Sequence, residues 1–272
     1  MIYLAGLSRR ASAAGDPNPD VAEFPHCLPL VRDLDRLEFA APITFLVGEN
    51  GSGKSTLLEG IAAGVGAVAV GGHDLQRDPT LAAARRFAAG FLFARRRHAR
   101  TRLFLRAEDV FGFTQRTAGM MQELAQDERD LAAQLPEGYG RLIATGAVAA
   151  QRGALVGSYG ANPDGRSHGE TFLAVLRRRL VPNGLYLLDE PETPLSPSRV
   201  LALMALLHER VGQGCQFIIA THSPILMAMP DAAILLAEHG RLQPAAWDDL
   251  EHVRVTRAFM ADPTATLKKL LG

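Results

Sequence analysis

The residues best suited to chemistry lie in Gly48-Glu49-Asn50-Gly51-Ser52-Gly53-Lys54-Ser55-Thr56, which fits the spacing G-x-x-x-x-G-K-[ST]. Glycines at Gly48, Gly51 and Gly53 permit backbone angles that a side chain would forbid, so successive N–H groups can converge on one anion. Those N–H groups, with the positive end of the following helix, are expected to hold the α- and β-phosphates of a nucleotide. Lys54 then reaches the β- and γ-phosphates, and the Ser55 hydroxyl ligates Mg²⁺. Apart from Lys54 the chain has only Lys268 and Lys269, and otherwise uses arginine. A compact ammonium stands where a broad guanidinium would not fit between phosphates.

Two further stretches repeat one design, an apolar run ending in polar chemistry. Leu185-Tyr186-Leu187-Leu188 leads into Asp189 and Glu190. At the carboxyl end of a parallel strand these acids face the crevice where such sheets bind ligands. Asp189 is placed to hold Mg²⁺ opposite Ser55, and Glu190 to orient and deprotonate an attacking water. Gln216-Phe217-Ile218-Ile219-Ala220 leads in the same way into Thr221 and His222, whose imidazole is a candidate for the γ-phosphate or its water. Each has a plainer alternative: acids after a strand also make a solvated turn, and histidines often serve structure. Arg166-Ser167-His168-Gly169-Glu170 opens another helix. Ser167 suits an N-cap there, and the same helix start suits an anion.

The elements that must position these groups follow from apolar spacing. Ile43-Thr44-Phe45-Leu46-Val47 reads as a buried strand entering the glycine loop, and residues 54 to 66 as the helix leaving it. Ile2-Tyr3-Leu4 is a candidate strand, and Leu37-Glu38-Phe39 leads toward Pro42 and the strand into the glycine loop. Residues 81 to 89 and 117 to 135 read as helices, the second stopped by Pro136, with a strand at Arg102 to Arg106 between them. Helices are expected at 169 to 180, 198 to 210 and 248 to 260, with strands at 185 to 188, 216 to 220 and 234 to 236. Short apolar strands between helices imply an α/β fold with a largely parallel sheet flanked by helices. The expectation is a single domain over 1–272, with a mostly helical lobe inserted at about 71–165.

The chain has 272 residues, enough for a sizeable core, and a formal net charge of zero, so no global field draws it to nucleic acid or anionic lipid. Cys27 and Cys215 are too few for a disulfide framework and lack metal-ligand spacing, which suits a reduced, cytoplasmic setting. No run of eighteen apolar residues encodes a membrane span, and the N-terminus lacks signal-peptide order. Arg95, Arg96, Arg97, Arg100 and Arg102 form the one dense basic cluster. It suits either a solvated face or contact with DNA phosphates.

Taken in order, the glycine loop, helical insertion, Ser-x-Gly-Glu, strand with Asp-Glu, Thr-Pro-Leu-Ser and Ala-Thr-His-Ser resemble the ATP-binding cassette (ABC) ATPases. Within them the chain is similar to the soluble stand-alone ATPases akin to the Rad50, SMC and RecF branch, over about Pro25 to Leu236. The resemblance implies a P-loop NTPase core that binds ATP and Mg²⁺ and hydrolyses ATP, with Gly48 to Thr56 as Walker A and Leu185 to Glu190 as Walker B. Glu190 is then the catalytic glutamate and His222 the switch histidine. Ser167, Gly169 and Glu170 stand for the signature motif, and Thr193 to Ser196 for the D-loop.

It implies further that ATP drives head-to-tail homodimerisation, the signature of one copy closing on Walker A of the other, as a switch on a macromolecular partner. The alternative is the nucleotide-binding subunit of a membrane transporter. Against it, His168 stands where a transporter cassette has Gly, and Ser196 where the D-loop has Asp. Glu190 with His222 argues against a binding module that does not hydrolyse. In the Gln-loop region Gln115 falls beyond the strand, and Arg106 or Glu108 lies nearer. Tyr3 and Phe24 are the aromatic candidates for the base.

Overall fold

The computed structural model of the chain describes residues 1–11, 23–69, 82–159 and 168–271, except the side chains of 108, 111, 113–115, 158, 159 and 168. The first elements are β1 (Leu4–Arg9), α1 (Pro29–Arg32), β2 (Arg36–Glu38), β3 (Ile43–Gly48), α2 (Lys54–Val65) and β4 (Val68–Ala69). There follow α3 (Ala82–Ala89), β5 (Phe91–Arg95), β6 (Thr101–Arg106), α4 (Ala107–Gln134), α5 (Tyr139–Tyr159) and α6 (His168–Arg179). The last are β7 (Gly184–Asp189), α7 (Pro197–Gly212), β8 (Gln216–Ala220), α8 (Pro224–Met227), β9 (Ala233–Glu238), β10 (Arg241–Pro244), α9 (Glu251–Ala261) and α10 (Pro263–Leu271).

Seven strands form one sheet in the order β10-β9-β3-β8-β7-β6-β4. Only β10 runs antiparallel, folded back on β9 through the two-residue turn His239–Gly240, both at positive φ. The central strands β3, β7 and β8 are buried along nearly their whole length, as their unbroken apolar runs require of strands covered on both faces. Because β3, β6, β7, β8 and β9 are parallel, the residues at their carboxyl ends share one edge. That edge carries Gly48, Arg106, Asp189 and Ala220.

A second, antiparallel sheet has the order β2-β1-β5. Gln216, fully buried at the start of β8, ties it to the first. Its Oε1 accepts from the N–H groups of Tyr3 (2.7 Å) and Leu4 (2.9 Å), and its Nε2 donates to the Leu4 carbonyl (2.9 Å). Every polar atom of the buried amide that can bond does so, which offsets its desolvation.

α2 carries the glycine loop into the core. Its inner face, Leu57, Leu58, Ile61 and Val65, is buried, and Gly60 lets Phe87 of α3 press onto the helix backbone. At its end Gly66 takes the left-handed conformation, and Ala67 N–H reaches back to the Ala62 carbonyl (2.9 Å).

Two compact units result, Met1–Arg106 with Leu180–Gly272, and Ala107–Arg179. In the second, α4 packs along α5 and α6 packs on both. Arg152 pairs with Glu128 (3.0 Å), and the Arg178 guanidinium donates to the Gly157 carbonyl (2.7 Å). The insertion expected at about 71–165 thus differs from the unit observed at 107–179. α3, β5 and β6 belong with the first unit because α3 covers α2 while β5 and β6 pair into its two sheets.

Candidate functional site

The glycine loop leaves β3 at Gly48, where the chain passes so close to β9 that a Cβ would stand 2.5 Å from the Ala237 carbonyl oxygen. At its far end Gly53 has φ of 92°, a left-handed N-cap that turns the backbone into α2 with no side chain over its first N–H groups. Glu49, Asn50 and Gly51 are exposed at the tip, and Ser52, Ser55 and Thr56 are half-buried. The Lys54 ammonium is buried at the centre of the loop. It donates to the carbonyls of Gly48 (2.8 Å) and Glu49 (2.7 Å), with the Ser52 hydroxyl at 3.3 Å. Burial lowers its pKa, and the nearby Glu190 and Asp189 act in the opposite direction.

The Ser55 hydroxyl, in the first turn of α2, donates to Asp189 Oδ1 across 3.1 Å, although β8 lies between β7 and β3, the strand that leads into the glycine loop. Asp189 is 8% exposed, and its pKa is pushed up to about 6, chiefly by burial, against the opposing pull of the Ser55 hydrogen bond and Arg106. Arg106 ends β6 directly opposite Asp189 and pairs with Glu59 of α2. One carboxylate beside one hydroxyl is a hard-oxygen donor set of the kind Mg²⁺ takes when it also keeps waters and phosphate oxygens.

Glu190 follows with φ of 47°, a left-handed backbone unusual for a non-glycine residue, held by its N–H donating to the Ala220 carbonyl (2.9 Å). Strain of this kind collects at functional sites. The carboxylate accepts weakly from the Thr193 hydroxyl (3.4 Å) and lies 3.7 Å from His222 Nε2. Burial, then the charge of Lys54, lowers the His222 pKa, with Glu190 and Glu192 opposing. The imidazole is therefore neutral at neutral pH, and the 3.7 Å approach is not an ion pair. Its Nε2 is buried without a hydrogen-bond partner.

The structure brings Lys54, Ser55, Asp189, Glu190 and His222 together at one edge of the sheet. Gly169 and Glu170 open α6 in the second unit, the first buried and the second exposed, and Ser167 lies outside the described residues. Gln115 lies on α4. Thr193 to Ser196 form the turn into α7, with Ser196 as its N-cap residue.

Tyr3 is not a base-contacting residue. It is 4% exposed and bonded through its hydroxyl to the Gly214 carbonyl (3.0 Å), at the amino end of β8 and so at the opposite edge of the sheet from the loop. Phe24 is exposed, its carbonyl held by Arg86 (2.8 Å). Neither lines the cavity of about 610 Å³ beside the loop, whose walls include Pro29, Leu30, Glu49, Asn50, His239 and His252. The basic cluster also lies away from the loop, since Arg100 precedes β6 at the amino edge of the sheet. Within it, Arg95 caps the end of α2 by donating to the Gly64 carbonyl (2.7 Å).

Three participants, Glu59, His252 and Glu192, have no counterpart among the expected site residues. Glu59 pairs with Arg106, which the sequence placed near the Gln-loop position, and both act on the Asp189 carboxyl. His252, from α9, brings a second neutral imidazole, its pKa lowered by burial and by His222. Glu192 grips the loop that carries His222. Only Glu192 left a mark in the sequence, as the third acid in Asp189-Glu190-Pro191-Glu192.

Residues 171–228 match the family described as "AAA domain, putative AbiEii toxin, Type IV TA system", and residues 26–91 match a second AAA-domain family. No curated relative matches the sequence. Among solved structures the chain is similar to the ATP-binding subunit of an ABC transporter, at 17% identity over 94% of this chain and 93% of that one, with a TM-score of 0.40. It is also similar to an SMC head domain from Thermotoga maritima, at 16% identity over 90% and 100% of the two chains, with a TM-score of 0.39. A third is an Smc head domain with an extended coiled coil, bound to the C-terminal domain of ScpA, from Pyrococcus furiosus. There the identity is 12% over 96% and 99% of the chains, with a TM-score of 0.44.

Proposed function

We propose that the chain, an ATPase of the AAA/ABC type by its fold and by the AAA-domain sequence at residues 26–91 and 171–228, binds ATP with Mg²⁺ and hydrolyses it to ADP and phosphate. The carrying observation is the cluster at the carboxyl edge of the sheet, where Ser55 meets Asp189 at 3.1 Å and Glu190 stands 3.7 Å from His222. A phosphate cradle alone would need only the first pair, and the second supplies groups for activating water.

In this reading the backbone from Gly48 to Thr56 cradles the phosphates, and Lys54 neutralises the β- and γ-oxygens. Ser55 and Asp189 would hold Mg²⁺, which when bound would supply positive charge against the charge that develops on the phosphates. Glu190 orients the attacking water and takes its proton. His222, neutral, is a hydrogen-bonding partner for the γ-phosphate or that water rather than a counter-charge. Positioning and charge stabilisation supply most of the acceleration in such transfers.

The motif order supports a second level of the same proposal, in which ATP joins two copies head to tail. Ser167, Gly169 and Glu170 of one copy then meet the nucleotide on the loop of the other, and the closed pair acts as a switch on a macromolecular partner. Among the described residues no helix is long and apolar enough to cross a membrane.

Phosphate release and sizing test both levels. Lys54→Ala is expected to abolish release, and Glu190→Gln to accumulate an ATP-bound dimer. Undiminished release by Lys54→Ala would remove the enzyme, and a Glu190→Gln protein that stays monomeric at saturating ATP would remove the paired state.

A further inference from the structure

Glu192 lies in the turn after β7, two residues beyond Glu190 and on the far side of the buried Pro191. One of its oxygens, Oε1, accepts three hydrogen bonds from three consecutive residues of the loop between β8 and α8. They come from the Thr221 hydroxyl (2.6 Å), the His222 N–H (2.8 Å) and the Ser223 N–H (3.1 Å). Thr221 is fully buried, and its hydroxyl also accepts from the Ser223 N–H (3.0 Å), so the loop closes around the carboxylate. The other oxygen, Oε2, is buried without a hydrogen-bond partner. Three donors converging on one oxygen suit the charge of a carboxylate, and such charge-assisted bonds are the strong ones.

We infer that Glu192 is the positioning residue that fixes His222 relative to Glu190. The inference rests on the hydrolytic reading given above. The turn bearing Glu190 and the loop bearing His222 belong to different strands, and the bond from Glu190 N–H to the Ala220 carbonyl joins them before the loop begins. Past that point Glu192 holds the backbone of His222 itself. His222 has no side-chain partner at Nε2, so its place is set from the backbone side. Glu192 acts through that backbone and need not touch nucleotide or water.

The test uses the full chain with three variants, Glu192→Ala, Glu192→Gln and His222→Ala. Glu192→Ala is expected to lower kcat about 10²-fold, the scale of a misplaced catalytic group, while ATP affinity stays within about twofold of wild type. Glu192→Gln should fall between, because its amide oxygen still accepts while its NH₂ is buried where Oε2 had no partner. With His222 already replaced by Ala, adding Glu192→Ala should change kcat by less than about twofold. A general loss of structure would instead multiply the two defects.

Amide exchange in the nucleotide-free protein reads the contact without reference to hydrolysis. The His222 and Ser223 amides should exchange at least roughly tenfold faster in Glu192→Ala, with partial protection in Glu192→Gln. Unchanged exchange at these amides overturns the inference. So does wild-type kcat in Glu192→Ala beside an impaired His222→Ala, or a fully multiplicative double variant. Normal hydrolysis by both His222→Ala and Glu190→Gln would instead overturn the hydrolytic reading, with the exchange data still deciding whether Glu192 holds the loop.

Discussion

The Ser55 hydroxyl donates to Asp189 across 3.1 Å, joining the first turn of α2 to the end of β7 over the intervening β8. The bond pre-arranges two oxygens that come from positions 134 residues apart. Because the carboxylate pKa is pushed up to about 6 by burial, the same pair makes cation binding sensitive to proton concentration.

Mg²⁺ requires the ionised carboxylate, so its contribution to nucleotide affinity should grow as pH rises through about 6 and shrink below it. Affinity measured with Mg²⁺ and with a chelator at pH 8 and pH 5 checks this. The ratio should be large at the higher pH and much smaller at the lower.

Asp189 also sets a stability trend in the nucleotide-free protein. Its folded pKa, about 6, lies above the ordinary 3.8, so the folded state holds more protons than the unfolded chain between those values. Stability contributed by this group is therefore present at low pH and falls as pH rises through that window. Asp189→Asn removes the buried charge and should stabilise the protein at pH 8 by on the order of 2 kcal/mol. In denaturant titrations that gain should vanish near pH 4.

Gly60 offers a test of how α2 is seated. A Cβ there would stand 2.2 Å from the ring of Phe87, which is fully buried. Ala improves helix propensity by about 1 kcal/mol, but overpacking costs about 1–3 kcal/mol or more at so short a distance. Gly60→Ala should therefore lower the unfolding midpoint, whereas a raised midpoint would show that the ring yields freely.

Much of the site was legible because its pieces are local. Strand, glycines and helix follow one another from Ile43 to Val65, and the runs into Asp189 and His222 each end where a strand ends. What joins them was not legible. The insertion of β8 between β3 and β7 is a property of strand order, which no local pattern records. The grip of Glu192 on His222 spans 30 residues.

β5 carries no clear strand signal because Phe91–Arg95 merges into the arginine cluster, and α3 with β5 falls within the stretch whose mostly helical pattern suggests an insertion. Tyr3 offered a suitable ring, but the Gln216 clamp holds its backbone at the other edge of the sheet. His252 belongs to no motif and reaches the site only because α9 packs against α8, with Trp247 Nε1 donating to the Pro224 carbonyl (2.9 Å).

The central claim is that Glu190 performs chemistry at a site which binds nucleotide without it. ATP affinity and phosphate release, measured side by side for wild type and Glu190→Gln, test that most directly. Affinity should be retained while release falls by about 10²–10⁴-fold, the usual contribution of a positioned base. Release by Glu190→Gln at the wild-type rate would contradict the account.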